Sequence, residues 1–185
     1  MTTSPSATIR PATEADCAEI GRVHVAAWRE TYRGLVPDPV LDALSEEARA
    51  AQWRSGLARG AKGPIVFVAE ATDGSLIGFG AAGPARDPKL ACDSEVSALY
   101  ILQSGQRRGI GRALLLQLAE TLRRRGRRTM GLWVLAANSP ARRFYEKLGG
   151  IAGATRSDQS DGWTCDEVAY VWHDLDLTSA QPSIR

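Results

Sequence analysis

The run Gln106-Arg107-Arg108-Gly109-Ile110-Gly111-Arg112 combines three guanidinium groups with two glycines in a few residues. Residues 95–102 before it, Glu-Val-Ser-Ala-Leu-Tyr-Ile-Leu, read as a strand, and residues 113–120 after it, Ala-Leu-Leu-Leu-Gln-Leu-Ala-Glu, read as a helix. A strand therefore feeds a glycine-containing loop that opens directly into a helix. The first N–H groups of a helix have no internal partner, and the macrodipole places partial positive charge there. Gly109 and Gly111 carry no Cβ, so a phosphate can approach the backbone. Arg107, Arg108 and Arg112 add full positive charge around the same turn. A diphosphate is the natural guest. Two other readings compete. An ordinary strand-to-helix turn needs neither this much charge nor two glycines. A dinucleotide fingerprint, G-x-G-x-x-G, needs Gly or Ala where Leu114 stands, and no early βαβ unit surrounds it.

The 185 residues suffice for one domain with a real core, and 44% hydrophobic with 24% charged residues are globular values. A net charge of +2 gives no whole-molecule attraction to nucleic acid. No apolar run approaches the ~20 residues of a membrane span. Residues 1–7 lack a basic region followed by an apolar one, so no secretory signal is expected. Cys17, Cys92 and Cys165 are odd in number and far apart, which argues against a disulfide framework and a zinc site and suits a reducing cytoplasm. His24 and His173 are the only histidines.

The elements that must carry the loop follow from periodicity and punctuation. A short strand is expected at 8–10. Thr13 caps a helix over about 14–31, with Ile20, Val23, Ala27 and Trp28 near one face. A turn-rich link at 32–39 leads to a short helix at 40–44. Ser45 caps a further helix running to about Ala58. Strands at 65–71 and 76–82 flank Asp73-Gly74, a strong hairpin turn. Residues 85–93 read as a loop. The helix after the glycines points Leu114, Leu115, Leu118 and Leu122 inward and stops at Gly126. A strand at 129–135 precedes a helix at 141–147, capped by Asn138 or Ser139 with Pro140 in its first turn. Strands at 151–155 and 167–172 follow, joined by the polar segment 156–162. This is one α/β domain over 8–176, with disordered ends at 1–7 and 177–185.

The second signal is the run Asn138-Ser139-Pro140-Ala141-Arg142-Arg143-Phe144-Tyr145-Glu146-Lys147-Leu148-Gly149. Helical spacing puts Ala141, Phe144 and Leu148 on one buried face, with Tyr145 turned about 100° to its edge. The strand at 95–102, the Q-x-x-G-x-G loop and the N-x-x-A-x-x-F-Y-E-x-x-G helix together resemble the GNAT superfamily of N-acetyltransferases, in that family's order and separation. The resemblance in element order covers residues 8–175. The run Trp28-Arg29-Glu30-Thr31-Tyr32-Arg33-Gly34-Leu35 is similar to a first-helix sequence frequent in bacterial members. Gly150 departs from the pattern, where Phe is usual, and is expected to loosen packing there.

The resemblance implies an α+β mixed sheet of about seven strands with four or five helices, splayed between its fourth and fifth strands: the GNAT acyl-CoA N-acyltransferase fold. It implies acetyl-CoA as cosubstrate and no metal. Pantetheine would lie along Leu99, Tyr100 and Ile101, with the Leu99 N–H holding the thioester carbonyl. The diphosphate would sit on Gln106, Arg107, Arg108, Gly109, Ile110, Gly111 and Arg112. Asn138 and Ala141 would line the coenzyme side, and Tyr145 would protonate the departing thiolate. Glu95 occupies a position that carries a general base in some members.

An alkylamine acceptor has a pKa near ~10.4, so removing its proton at pH 7 costs roughly 4 to 5 kcal/mol. An ordinary glutamate, near ~4.3, is a poor match unless burial raises it or water relays the proton. The plainer reading of Glu95 is a strand-end carboxylate in a salt bridge. Cys92 and Cys165 lack a neighbouring His or Asn/Asp that would activate them, so direct transfer in a ternary complex is expected. His24 reads as a solvated or capping residue. The arginines at 123–125 suit a helix C-terminus and lie about 18 Å beyond Arg112, too far to share its diphosphate. The expected acceptor is a primary amine, in a small molecule or at a peptide N-terminus. Trp28, Tyr32 and Trp163 would give it an apolar or cation-binding wall, and Asp158 and Asp161 could attract it. Neither nucleic acid nor membrane is expected as a partner; a homodimer is allowed. The alternative function is a catalytically silent acyl-CoA-binding sensor of the same fold.

Overall fold

The structure, a computed structural model, describes residues 7–160 and 163–177. Seven strands form one mixed sheet in the order β1-β2-β3-β4-β5-β7-β6. The chain packs as two compact units, one of residues up to Ala81 with Ala98–Leu118, the other of Ala82–Ser97 with residues from Ala119 on. The expected disordered ends lie outside the described residues, apart from Ala7, which pairs with Ala71, and Leu177, which is buried.

In the first unit, β1 (Ala7–Pro11) lies antiparallel to β2 (Ile65–Ala71). The Thr13 backbone N–H donates to Asp16 Oδ2 at 2.7 Å, starting a 3-10 turn that runs into α1 (Cys17–Tyr32). Ile20 and Val23 of α1 join Val66, Val68, Phe79 and Ala98 in a core cluster, so the stripe read from spacing is the buried one. The short helix α2 (Asp38–Asp42) starts earlier than expected because Pro39 is accommodated in its first turn. Ser45 caps α3 (Glu46–Leu57), its Oγ accepting from the Ala48 N–H at 3.1 Å. The strand β3 (Leu76–Pro84) returns after the hairpin turn, and a 3-10 turn at Pro88–Leu90 lies inside the expected loop. Next come β4 (Ser94–Ile101) and α4 (Ile110–Arg124). This helix begins three residues before the expected apolar run, because the Gly109 carbonyl already accepts from the Ala113 N–H at 3.0 Å. Leu114, Leu115, Leu118 and Leu122 are all buried.

The second unit contains β5 (Met130–Leu135), α5 (Ser139–Lys147), β6 (Ile151–Ser160) and β7 (Trp163–Trp172). β5 runs parallel to β4, in register at Glu95↔Gly131, and antiparallel to β7. The polar segment expected to join two short strands is instead the far half of β6, in register with β7 from Arg156↔Glu167 to Ser160↔Trp163. Polar cross-strand pairs hold it there. Arg156 bonds Glu167 and Asp87, each at 2.7 Å, and its guanidinium lies 4.2 Å above the Trp133 ring.

Gly150 does not loosen packing. A Cβ built there would stand 2.7 Å from Trp172 Cζ2, and that indole is 2% exposed with its Nε1 donating to the Leu148 carbonyl at 2.8 Å. Trp172 fills the space that a larger residue at 150 would take.

Candidate functional site

In the first unit, β4 delivers the chain to a 3-10 turn at Gln103–Gly105, then to the exposed loop 106–109 and the α4 N-terminus. Arg107 and Gly109 both adopt positive φ, 59° and 79°, so two residues of the loop lie in the left-handed region before the helix starts. Open space surrounds the Gly109 Cβ position. Arg107, Arg108 and Arg112 are exposed around it. Gln106 turns back and donates from Nε2 to the Ile101 carbonyl at 3.2 Å, closing the loop on the strand. Glu30 of α1 accepts from the Gln103 N–H at 2.6 Å, tying the first helix to the same turn. Leu99, Tyr100 and Ile101 are half-buried. The arrangement is a cationic cradle of backbone amides that suits a diphosphate.

Trp28 and Tyr32 meet edge to face with centroids 4.9 Å apart. Tyr100 stacks on His24 at 4.9 Å, and Trp28 lies 6.2 Å from the imidazole. His24 is therefore not solvated: it is 8% exposed, and its Nδ1 accepts from Trp53 Nε1 at 3.2 Å. That bond assigns the imidazole proton to Nε2 in the neutral ring. Burial, with Arg49 adding repulsion, pushes the imidazole down to about 3. The native ring thus binds fewer protons than the unfolded one between about pH 3 and 6.5, and the stability present above that window is lost as pH falls through it. Denaturant titrations at pH 7 and pH 5 should differ by about 2 kcal/mol from this residue, and His24→Gln should remove that difference.

In the second unit, Glu95 is buried at the start of β4. Arg86 grips it from Nη2 to Oε1 at 2.6 Å, from Nε to Oε2 at 3.0 Å, and from its backbone N–H to Oε2 at 3.1 Å. The salt bridge of the plainer reading is present. Burial does push it up, but the Arg86 hydrogen bonds, aided by Arg156, outweigh that and hold it below its ordinary value. So held, Glu95 is an ion-paired carboxylate at the start of β4.

Asn138, not Ser139, caps α5: its Oδ1 accepts from the Ala141 N–H at 3.2 Å, and it is 5% exposed. The helix turns differently from the expected wheel. Tyr145 and Leu148 are buried, whereas Ala141 and Phe144 are only half-buried. The reason is β7, which presents Trp172 edge-on to Tyr145 at 6.0 Å and 86° and Tyr170 at 5.8 Å and 43°. Trp163 opens β7, seven residues and about 23 Å along the strand from Tyr170. Asp158 pairs in register with Cys165, and Asp161 lies outside the described residues.

Three groups escaped the sequence reading. Arg86 sits in a loop nine residues from Glu95 with no pattern to join them. Besides Trp28, the ring neighbours of His24 come from α3, β3 and β4. The Arg142–Tyr170–Glu146 hydrogen bonds join α5 to a strand more than twenty residues on. Of these, only His24 and Trp28, one helical turn apart on α1, carried a local signal.

No helix of the described residues is long and apolar enough to cross a membrane. Residues 25–150 match the acetyltransferase (GNAT) family. The uncharacterized N-acetyltransferase YuaI of Bacillus subtilis is 37% identical over 168 residues, covering 91% of this chain and 94% of its own. A probable N-acetyltransferase of Mycobacterium tuberculosis is 31% identical over 141 residues, covering 75% of this chain and 76% of its own. Among solved structures, yncA of Salmonella typhimurium, a putative acetyltransferase with its cofactor acetyl-CoA, superposes with a TM-score of 0.68 at 26% identity, covering 92% of this chain and 94% of its own. With the seven-stranded mixed sheet and the strand–loop–helix cradle in place, these likenesses make the chain a member of the GNAT family of acetyltransferases.

Proposed function

We propose that the chain moves an acetyl group from acetyl-CoA to a primary amine by direct attack in a ternary complex. One observation carries this reading: β4 runs through a loop with two left-handed residues into the N-terminus of α4, among three exposed arginines. The amides of 106–111 and the arginines hold the diphosphate, and the backbone of Leu99, Tyr100 and Ile101 receives the pantetheine arm. Asn138 and Ala141 line the coenzyme from the start of α5. Acetyl-CoA supplies the thioester. The Leu99 N–H holds its carbonyl oxygen as charge develops there while the amine nitrogen bonds to the carbonyl carbon. Tyr145 gives its phenolic proton to sulfur as the C–S bond breaks, and the proton lost by the amine restores the phenol through solvent. Glu95 keeps its ion pair with Arg86, so the amine sheds its proton on entering a desolvated site and not to this carboxylate. Trp28 and Tyr32 form the wall against which the acceptor packs.

The test is a panel of 2-phenylethylamine, spermidine, free lysine and an alanine-ended peptide, with thiol release from acetyl-CoA as readout. Turnover with any of them supports transfer. Tight binding of acetyl-CoA with no thiol release, to any amine or to water, returns the sensor reading. Tyr145→Phe should slow turnover by less than the ~100-fold usual for general-acid catalysis, because a thiol of pKa near ~8.5 leaves with little help. Coenzyme affinity should stay unchanged.

A further inference from the structure

The Tyr170 hydroxyl is buried where a phenylalanine would fill the same volume without a polar group to satisfy. The residue is 0% exposed, yet its hydroxyl sits in a bonded chain. It donates to Glu146 Oε1 at 2.6 Å and accepts from Arg142 Nε at 3.2 Å. Arg142 reaches on from Nη1 to the Ala136 carbonyl at 3.2 Å, at the junction of β5 and α5. Arg142 and Glu146 are one helical turn apart, and Tyr145 lies between them in sequence. A helix of nine residues has little stability of its own, so its rotation depends on what it is tied to. Here two side chains of α5 close on one hydroxyl of β7, and the ring that bears that hydroxyl packs 5.8 Å from the Tyr145 ring.

We propose that Tyr170 is a positioning residue, which through Arg142 and Glu146 fixes the rotation of α5 and so the aim of the Tyr145 hydroxyl. The inference rests on the acid role given to Tyr145 above. Desolvation, and then the bond to Glu146, raise the Tyr170 phenol above its ordinary value, so it stays protonated and donating across the working range. The indole of Trp172 also packs edge-on to Tyr145, at 6.0 Å.

The experiment is a double-mutant cycle on purified full-length protein, reading thiol release from acetyl-CoA with water as acceptor, coenzyme affinity and thermal midpoint. Tyr170→Phe keeps the ring and removes the hydroxyl. It should lower the rate roughly threefold to tenfold, with coenzyme affinity unchanged, and add nothing in the Tyr145→Phe background. Glu146→Ala, at an exposed position, should show the same lack of additivity, with the thermal midpoint reporting the cost of leaving the buried hydroxyl without its acceptor. A rate unchanged by Tyr170→Phe, or lowered by the same factor with and without the Tyr145 hydroxyl, overturns the inference and leaves the acid role standing. Should Tyr145→Phe alone run as fast as the native enzyme, the acid role falls, and Tyr170 has nothing to aim.

Discussion

Replacement of Gly111 by glutamate should abolish acetyl-CoA binding in a protein that remains folded. Gly111 lies in the first turn of α4 and is not among the glycines with positive φ, so a side chain is compatible with its backbone. Glycine inside a helix costs about 1 kcal/mol relative to alanine, and an acidic side chain in a first turn is favoured by the dipole. The substitution should therefore leave the thermal midpoint unchanged or slightly raised. Binding is another matter. On the proposed assignment, the new carboxylate would stand where the diphosphate approaches bare amides, and it would bring bulk and like charge together. The affinity should fall by at least about 100-fold, equivalent to ~2.7 kcal/mol, when titrated calorimetrically. Unchanged affinity would remove the assignment of residues 106–112 to the diphosphate.

Gly150→Phe, which restores the residue usual in the family pattern, should destabilise this protein. The Cβ would meet Trp172 Cζ2 at 2.7 Å and the Tyr145 carbonyl at 3.0 Å, before any ring is placed. Trp172 cannot swing away without losing its 2.8 Å hydrogen bond to Leu148 and its contact with Tyr145. Overpacking of this kind costs about 3 kcal/mol at its upper range. In a chain of this size that lowers the thermal midpoint by roughly 6 to 12 °C. Adding Trp172→Ala should recover part of the loss, because the two residues compete for one volume. A midpoint within a degree of the native protein would show that the space was never shared.

The two residues also mark where sequence reading succeeds and where it stops. The strand–loop–helix around 106–112 was legible because all of it is local: strand, loop, glycines and helix are contiguous. The Asn138 cap and the inward leucines of α4 were legible for the same reason. The Gly150 outcome was not, since Trp172 arrives from a strand 22 residues later, and nothing at position 150 announces it. The length of β6 was hidden by composition. Arg156, Ser157 and Asp158 look like loop residues until β7 lies alongside with Glu167, Asp166 and Cys165. The protonation of Glu95 was out of reach, because it is set by an arginine in a separate loop with no spacing to relate the two.

The left-handed turn at Arg107 bears on the receptor proposed for the coenzyme. A non-glycine residue in that region carries about 1–2 kcal/mol of backbone strain, and Arg107 carries it at φ 59°. Gln106 and Glu30 hold the flanking backbone in place, so the strain is met by folding and not by association. Preorganisation of this kind would spare a diphosphate bound there the entropy of shaping its own receptor. The same bargain makes the native fold slightly less thermostable than a chain free to relax that turn.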